Sequence, residues 1–150
     1  MRICFFGHSD FISSPEIKDE LLSILKNYTD KEDCEFLFGG YGFFDDFSYR
    51  CVKEISLKNK IIKSFVTPYI TESYGKNHLE YKKDRYDYII YPEIETVPYR
   101  FAITARNKWM VNTNDVVITY VTCRFGGSYA AYKYALGKKK KIINLGNLKI

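Results

Sequence analysis

The stretch Cys34-Glu35-Phe36-Leu37-Phe38-Gly39-Gly40-Tyr41-Gly42-Phe43-Phe44 decides the fold, because a short apolar run breaks on a glycine doublet and passes straight into a helical pattern. The same order returns later: the apolar run 116–123 leads to Gly126-Gly127-Ser128 and a further helical run. Glycine turns between buried strands and helices put backbone N–H groups and helix N-termini on one edge of a parallel sheet, where phosphate-bearing ligands bind. The two doublets are read as parts of one site.

Outward from these turns the chain alternates. Residues 2–6 read as a buried strand ending in the turn-rich Gly7-His8-Ser9-Asp10. Ser14 as cap and Pro15 at the first helical position open a helix that carries Ile17, Leu21, Leu22, Ile24, Leu25 and Tyr28 at helical spacing. A strand over 35–38 and a helix over 44–57 flank the first doublet, and 61–67 is a third strand closed by Pro68. Residues 69–83 are polar and tyrosine-rich without clear periodicity, so they read as a loop over the strand ends, with a helical turn as the alternative within it. A strand over 88–91, a loop over 93–98 and a helix over 99–112 follow, the helix with Phe101, Ala105, Trp109 and Met110 on its buried side. A strand over 115–122, a helix over 128–136 and a strand over 141–145 complete the series. Continuous apolar strands alternating with helices specify an α/β fold, a Rossmann-like three-layer sandwich with a mostly parallel sheet, and 150 residues suit one domain spanning 1–150.

Composition narrows the function. An apolar share of 46% with 14 Tyr and 11 Phe excludes a disordered chain. The net charge of +5 is concentrated at Lys138 to Lys141, where lysines between a helix end and a strand complement the helix dipole; the excess suits a small anionic ligand, and nucleic acid is not the expected partner. Cys4, Cys34, Cys51 and Cys123 lie too far apart for a zinc or redox motif, so no metal is expected and the four read as buried free thiols of a reducing cytoplasm. No run reaches the length of a signal peptide core or a membrane span, and the expectation is a soluble cytoplasmic protein.

Neither doublet is a dinucleotide fingerprint or a Walker motif, and a single glycine turn is as often a packing device. Their neighbours raise the interest. Arg106-Asn107-Lys108-Trp109-Met110 precedes the strand that feeds Gly126-Gly127, and Ser128 adds a hydroxyl at the next helix start. Guanidinium, amide and hydroxyl donors beside open N–H groups suit a phosphate and a ribose, while the plainer role of Arg106 is a surface ion pair. His8 stands where it can touch a phosphate or move a proton, or simply close a turn; His78 is expected on the surface. Tyr41, inside a glycine turn, is the aromatic residue best placed to stack on a base.

In this order Gly7-His8, Gly39-Gly40-Tyr41-Gly42-Phe43-Phe44-Asp45, Arg106-Asn107-Lys108-Trp109-Met110-Val111 and Gly126-Gly127-Ser128 resemble the SLOG superfamily, and within it the small bacterial YpsA-like (DUF1273) branch. The resemblance implies a Rossmann-like domain that binds nucleotides or derivatives such as ADP-ribose at the glycine-lined edge. The ligand-binding set it implies is Gly7, His8, Gly39, Gly40, Tyr41, Gly42, Asp45, Arg106, Asn107, Gly126, Gly127 and Ser128. Related LOG phosphoribohydrolases cleave the N-glycosidic bond of nucleoside monophosphates with an acid after the second glycine motif. Here Ser128, Tyr129, Ala130, Ala131, Tyr132 and Lys133 follow, and that acid is missing. Glycosidic cleavage builds oxocarbenium charge that a carboxylate stabilises; Asp45 and Asp10 are the carboxylate candidates, with a helix N-terminal acid and a turn or cap as their plainer roles, and His8 is an acid/base candidate.

The expected function is therefore sensing or sequestration of a nucleotide derivative, with a nucleotide N-glycosidase and a nucleic-acid-associated protein as alternatives. No cofactor beyond the ligand is expected. A homodimer is compatible with a domain of this size, and the sequence does not locate its contact.

Overall fold

The computed structural model describes residues 1–55 and 59–148. It is an α/β sandwich around a six-stranded, fully parallel sheet of order β4-β3-β2-β1-β5-β6. The strands are β1 (Arg2–Gly7), β2 (Cys34–Phe38), β3 (Ile61–Val66), β4 (Tyr88–Ile90), β5 (Val116–Tyr120) and β6 (Lys141–Asn144). The main helices are α1 (Pro15–Thr29), α2 (Phe43–Glu54), α5 (Ala102–Thr113) and α6 (Gly127–Gly137), with two short ones, α3 (Glu72–Tyr74) and α4 (Glu80–Lys82), between β3 and β4. The expected alternation and fold class are present. The second helix, expected to reach Leu57, ends at Glu54, and Ile55 is already extended; residues 56–58 lie outside the described residues.

Successive residues of β1 point to opposite faces, and both faces are covered. Ile3 and Phe5 join Phe36, Phe38, Phe65, Leu21, Leu25 and Phe44 in a large core on the α1 and α2 side. Cys4 and Phe6 join Leu37, Val66, Met110, Val111, Val117, Ala131 and Ala135 on the α5 and α6 side. Most of the phenylalanines are core: Phe5 stacks on Phe38 at 5.1 Å, and Phe11 packs edge-on to Phe44 and Tyr120. Ser14 caps α1 as read, its Oγ accepting the Ile17 N–H at 3.3 Å.

Two local expectations fail. The segment read as a loop over 69–83 is helical from Glu72 to Lys82, with a π-helical turn (Gly75–Leu79) between α3 and α4; Thr71 caps it, and Leu79 packs on the core. Leu79 as the core anchor among the described residues gives no visible period. In α5 the buried stripe is Ala102, Arg106, Met110 and Val111, while Phe101 is exposed and Trp109 only half-buried. Arg106 occupies an inward position that an apolar pattern assigns elsewhere.

The run Lys138 to Lys141 connects α6 to β6 at the amino edge of the sheet, opposite the glycine turns. Lys140 Nζ donates to the carbonyls of Asn112 and Asn114 at the end of α5, at 3.2 and 3.0 Å. The role of this lysine is structural.

Candidate functional site

Strand order reverses between β1 and β5, so the crevice of this sheet opens at their carboxyl ends. Gly7 and His8 close β1 there, Thr122 and Cys123 follow β5, and Gly126, Gly127 and Ser128 start α6. Ser128 Oγ donates to the Gly7 carbonyl at 2.5 Å, which pins α6 to the end of β1. The Thr122 N–H donates to His8 Nε2 at 2.9 Å, so His8 is held as an acceptor with its ring proton on Nδ1. Cys123 Sγ lies 3.7 Å from the same nitrogen.

The N-terminus of α6 is open. Gly126 caps it at φ +92° with no side-chain hydrogen bond, and no acidic residue stands in the first turn. Among the described residues, the N–H groups of Gly127, Ser128 and Tyr129 meet no acceptor. Three such donors at the positive end of an 11-residue helix are the arrangement that favours an anion at a helix N-terminus. A Cβ on Gly127 would meet nothing within 4 Å, so packing within the described chain does not require glycine there. Its missing side chain leaves room for a ligand oxygen to reach the backbone.

The first doublet has the opposite character, because the protein fills its own cradle. Asp45, in the first turn of α2, accepts the Gly39 N–H at Oδ1 (3.2 Å) and the Gly40 N–H at Oδ2 (3.0 Å). Arg106, 5% exposed, donates from Nη1 to the carbonyls of Gly39 (3.1 Å) and Val66 (2.7 Å) and from Nε to Asn107 Oδ1 (2.9 Å). Lys82 Nζ reaches to 3.5 Å from the Gly40 carbonyl and lies over the Phe65 ring. Burial pushes the Asp45 carboxyl up to about 6, against the pull of the Gly39 N–H, Arg106, the Gly40 N–H and Lys82. Burial also lowers Arg106 and Lys82, with Asp45 opposing the shift in each.

The residues expected in one site thus fall into two neighbouring clusters on one edge. Gly39, Gly40, Asp45, Arg106 and Asn107 sit beside the ends of β2 and β3; Gly7, His8, Gly126, Gly127 and Ser128 sit between β1 and β5. Gly42 packs on the Ser9 backbone between them, and no hydrogen bond among the described residues joins the two doublets. Arg106 is buried, not a surface ion pair. Asp10 is exposed, and His78 is exposed beside the Tyr74 ring, 4.6 Å away. On α6, Lys133 lies over the Tyr129 ring, so no carboxylate enters from that helix.

Sequence reasoning missed the contact between His8 and Cys123, and it took Cys123 as buried. Cys4, Cys34 and Cys51 are buried, whereas Cys123 is half-exposed at the crevice. It named Tyr41 but missed the rest of an aromatic rim: Phe43, Tyr99, Phe101 and Phe125 are likewise exposed on loops or helix starts of this edge, with Tyr99 stacked on Tyr69 at 4.4 Å. Arg100 and Arg124 stand next to these rings and form no ion pair among the described residues. No cluster of three or more metal-ligating side chains occurs among the described residues, and no described helix is long and apolar enough to cross a membrane.

No family model matches the chain, and no curated protein matches it in sequence. Solved structures do share its architecture. DNA processing protein A from Helicobacter pylori, described in terms of its single-stranded DNA binding mode, matches with a TM-score of 0.64 at 16% identity, over 96% of this chain and 64% of that one. DNA processing protein A from Streptococcus pneumoniae gives 0.63 at 12% identity, over 95% and 49%. The molybdenum cofactor carrier protein from Chlamydomonas reinhardtii gives 0.56 at 13%, over 95% and 74%. The chain spans about half to two-thirds of the DNA processing proteins. At these identities the likeness is one of fold, and that fold is the Rossmann-like one implied by the SLOG resemblance.

Proposed function

We propose that this protein, read as a SLOG-type domain near the YpsA-like branch, binds a phosphate-bearing nucleotide derivative in the crevice between β1 and β5. The observation that carries the reading is the open N-terminus of α6, with three free N–H donors and no acid of its own, at the reversal of strand order. The phosphate sits on Gly127, Ser128 and Tyr129; Gly7 and His8 form the floor. Binding without turnover fits best: Asp45 is held by two glycine N–H groups beneath the neighbouring turn, and Asp10 is exposed. Thermal shift and calorimetry with AMP, ADP-ribose and NAD test the reading; stabilisation by at least one is expected, and none with any of them in folded protein overturns it.

A second reading is favoured by the aromatic rim. Exposed rings interleaved with Arg100 and Arg124 suit stacked bases of a single strand, and the DNA processing proteins share the fold. Anisotropy of a labelled oligonucleotide distinguishes it, since strand binding is steeply weakened by salt and outcompetes a mononucleotide.

A further inference from the structure

We propose that Cys123 and His8 form a thiol–imidazole pair that takes a small anionic disulfide, making the crevice a site of reversible thiol modification. Three observations converge. Cys123 Sγ stands 3.7 Å from His8 Nε2, from opposite sides of the β1–β5 crevice and 115 positions apart in sequence. The other three cysteines are buried, and burial raises each of them, Cys51 to about 11, which leaves them poor nucleophiles. The open N–H groups of α6 begin four residues beyond Cys123 in the chain, at the same carboxyl edge of the sheet, which favours a reagent that carries a carboxylate.

The tautomer of His8 is the one the reaction needs. The Thr122 N–H makes Nε2 an acceptor, and Cys123 Sγ lies 3.7 Å from the same nitrogen and 4.0 Å from the Phe125 carbonyl oxygen, its other acceptor. The Thr122 N–H holds the Nε2 lone pair at rest, so the thiol proton moves to Nε2 only as that hydrogen bond gives way and the sulfur bonds to its electrophile. Sγ attacks one disulfide sulfur: the new S–S bond forms as the old one breaks. The thiol proton passes through Nε2 to the departing thiolate. The products are a mixed disulfide on Cys123 and one free thiol, with no net oxidation. The adduct then stands at the mouth of the α6 anion site and excludes a nucleotide, a consequence that rests on the binding reading above.

The test uses the whole chain and oxidised glutathione, with intact mass and peptide mapping. One adduct, on Cys123, is expected, and none in Cys123→Ser. His8→Gln keeps an acceptor for the Thr122 N–H but cannot take the proton. It should slow the reaction roughly tenfold, less than the usual general-base effect because Thr122 competes for the lone pair. A measurement on wild type alone covers a misfolded variant: Cys123 should react faster in folded protein than in urea. Modification of the other cysteines at equal rate, an unchanged rate in His8→Gln, or slower reaction in the folded state overturns the proposal. Nucleotide thermal shifts before and after modification separate the two readings. Shifts without an adduct sink the thiol pair alone; an adduct without shifts in unmodified protein sinks the nucleotide site alone.

Discussion

The carboxylate of Asp45 receives the Gly40 N–H at 3.0 Å, so the first glycine turn already holds an anion that belongs to the protein. The Gly39 N–H completes the cradle, and Arg106 and Lys82 supply positive charge around it. This occupancy separates the two doublets more sharply than their sequences do.

Asp45 should make stability depend on pH in an unusual direction. Its folded carboxyl is raised to about 6 from 3.8, chiefly by burial, so in that window the folded state holds a proton that the unfolded chain has lost. The contribution is fully present below the unfolded value and disappears as pH rises through about 6, on the order of 2–3 kcal/mol in all. Urea denaturation of wild type and Asp45→Asn across this range checks it. The stability of wild type relative to the variant should fall as pH rises; a flat difference means ordinary acidity.

Arg106 should matter first for folding. Replacing it with Met removes both carbonyl contacts to Gly39 and Val66 and leaves Asp45 with less countercharge in a buried place, a loss of about 3–5 kcal/mol. Because the two side chains share one turn, Arg106→Met combined with Asp45→Asn should cost less than the sum of the single changes. A coupling of about 1 kcal/mol or more in a double-mutant cycle is expected, and additivity contradicts the network.

Glycine substitutions should divide the site into packing and binding parts. A Cβ on Gly7 would lie 2.2 Å from Phe44 Cγ, so Gly7→Ala should destabilise by at least about 2 kcal/mol. Gly127→Ala meets open space at the first helical position and should leave stability within about 0.5 kcal/mol or raise it. It should nevertheless weaken nucleotide binding, because the methyl group stands where the phosphate approaches the backbone. Equal binding by Gly127→Ala and wild type removes the α6 site.

Much of the fold is legible because its signals are local. Ser14 and Pro15 announce α1 within two residues, and each glycine doublet marks a turn from strand to helix at the place observed. The segment between β3 and β4 is not legible, since Leu79 alone gives no apolar stripe. Arg106 hides for a related reason: a guanidinium in a buried stripe is satisfied by carbonyls 40 and 67 positions away. The site shows the same limit. Sequence places Gly39, Asp45 and Gly127 on one edge, but which cradle is filled and which is open depends on where one carboxylate folds back. The approach of Cys123 to His8 is set by the register of β1 on β5, Gly7 beside Tyr120, and no motif encodes it.

The aromatic rim offers the test that tells a free nucleotide from a strand. Tyr41 is 79% and Phe125 74% exposed, so removing either ring should leave the melting temperature almost unchanged. A mononucleotide seated on α6 draws its affinity chiefly from the open N–H groups and loses little when one exposed ring is removed. An oligonucleotide that lays successive bases across the rim loses one stacking partner per substitution, about five- to hundredfold in affinity. Tyr41→Ala and Phe125→Ala should therefore weaken oligonucleotide binding by that factor while nucleotide thermal shifts persist, if both ligands share this edge. Loss of neither in both variants confines recognition to the crevice, and the exposed rings then belong to some other contact of the protein.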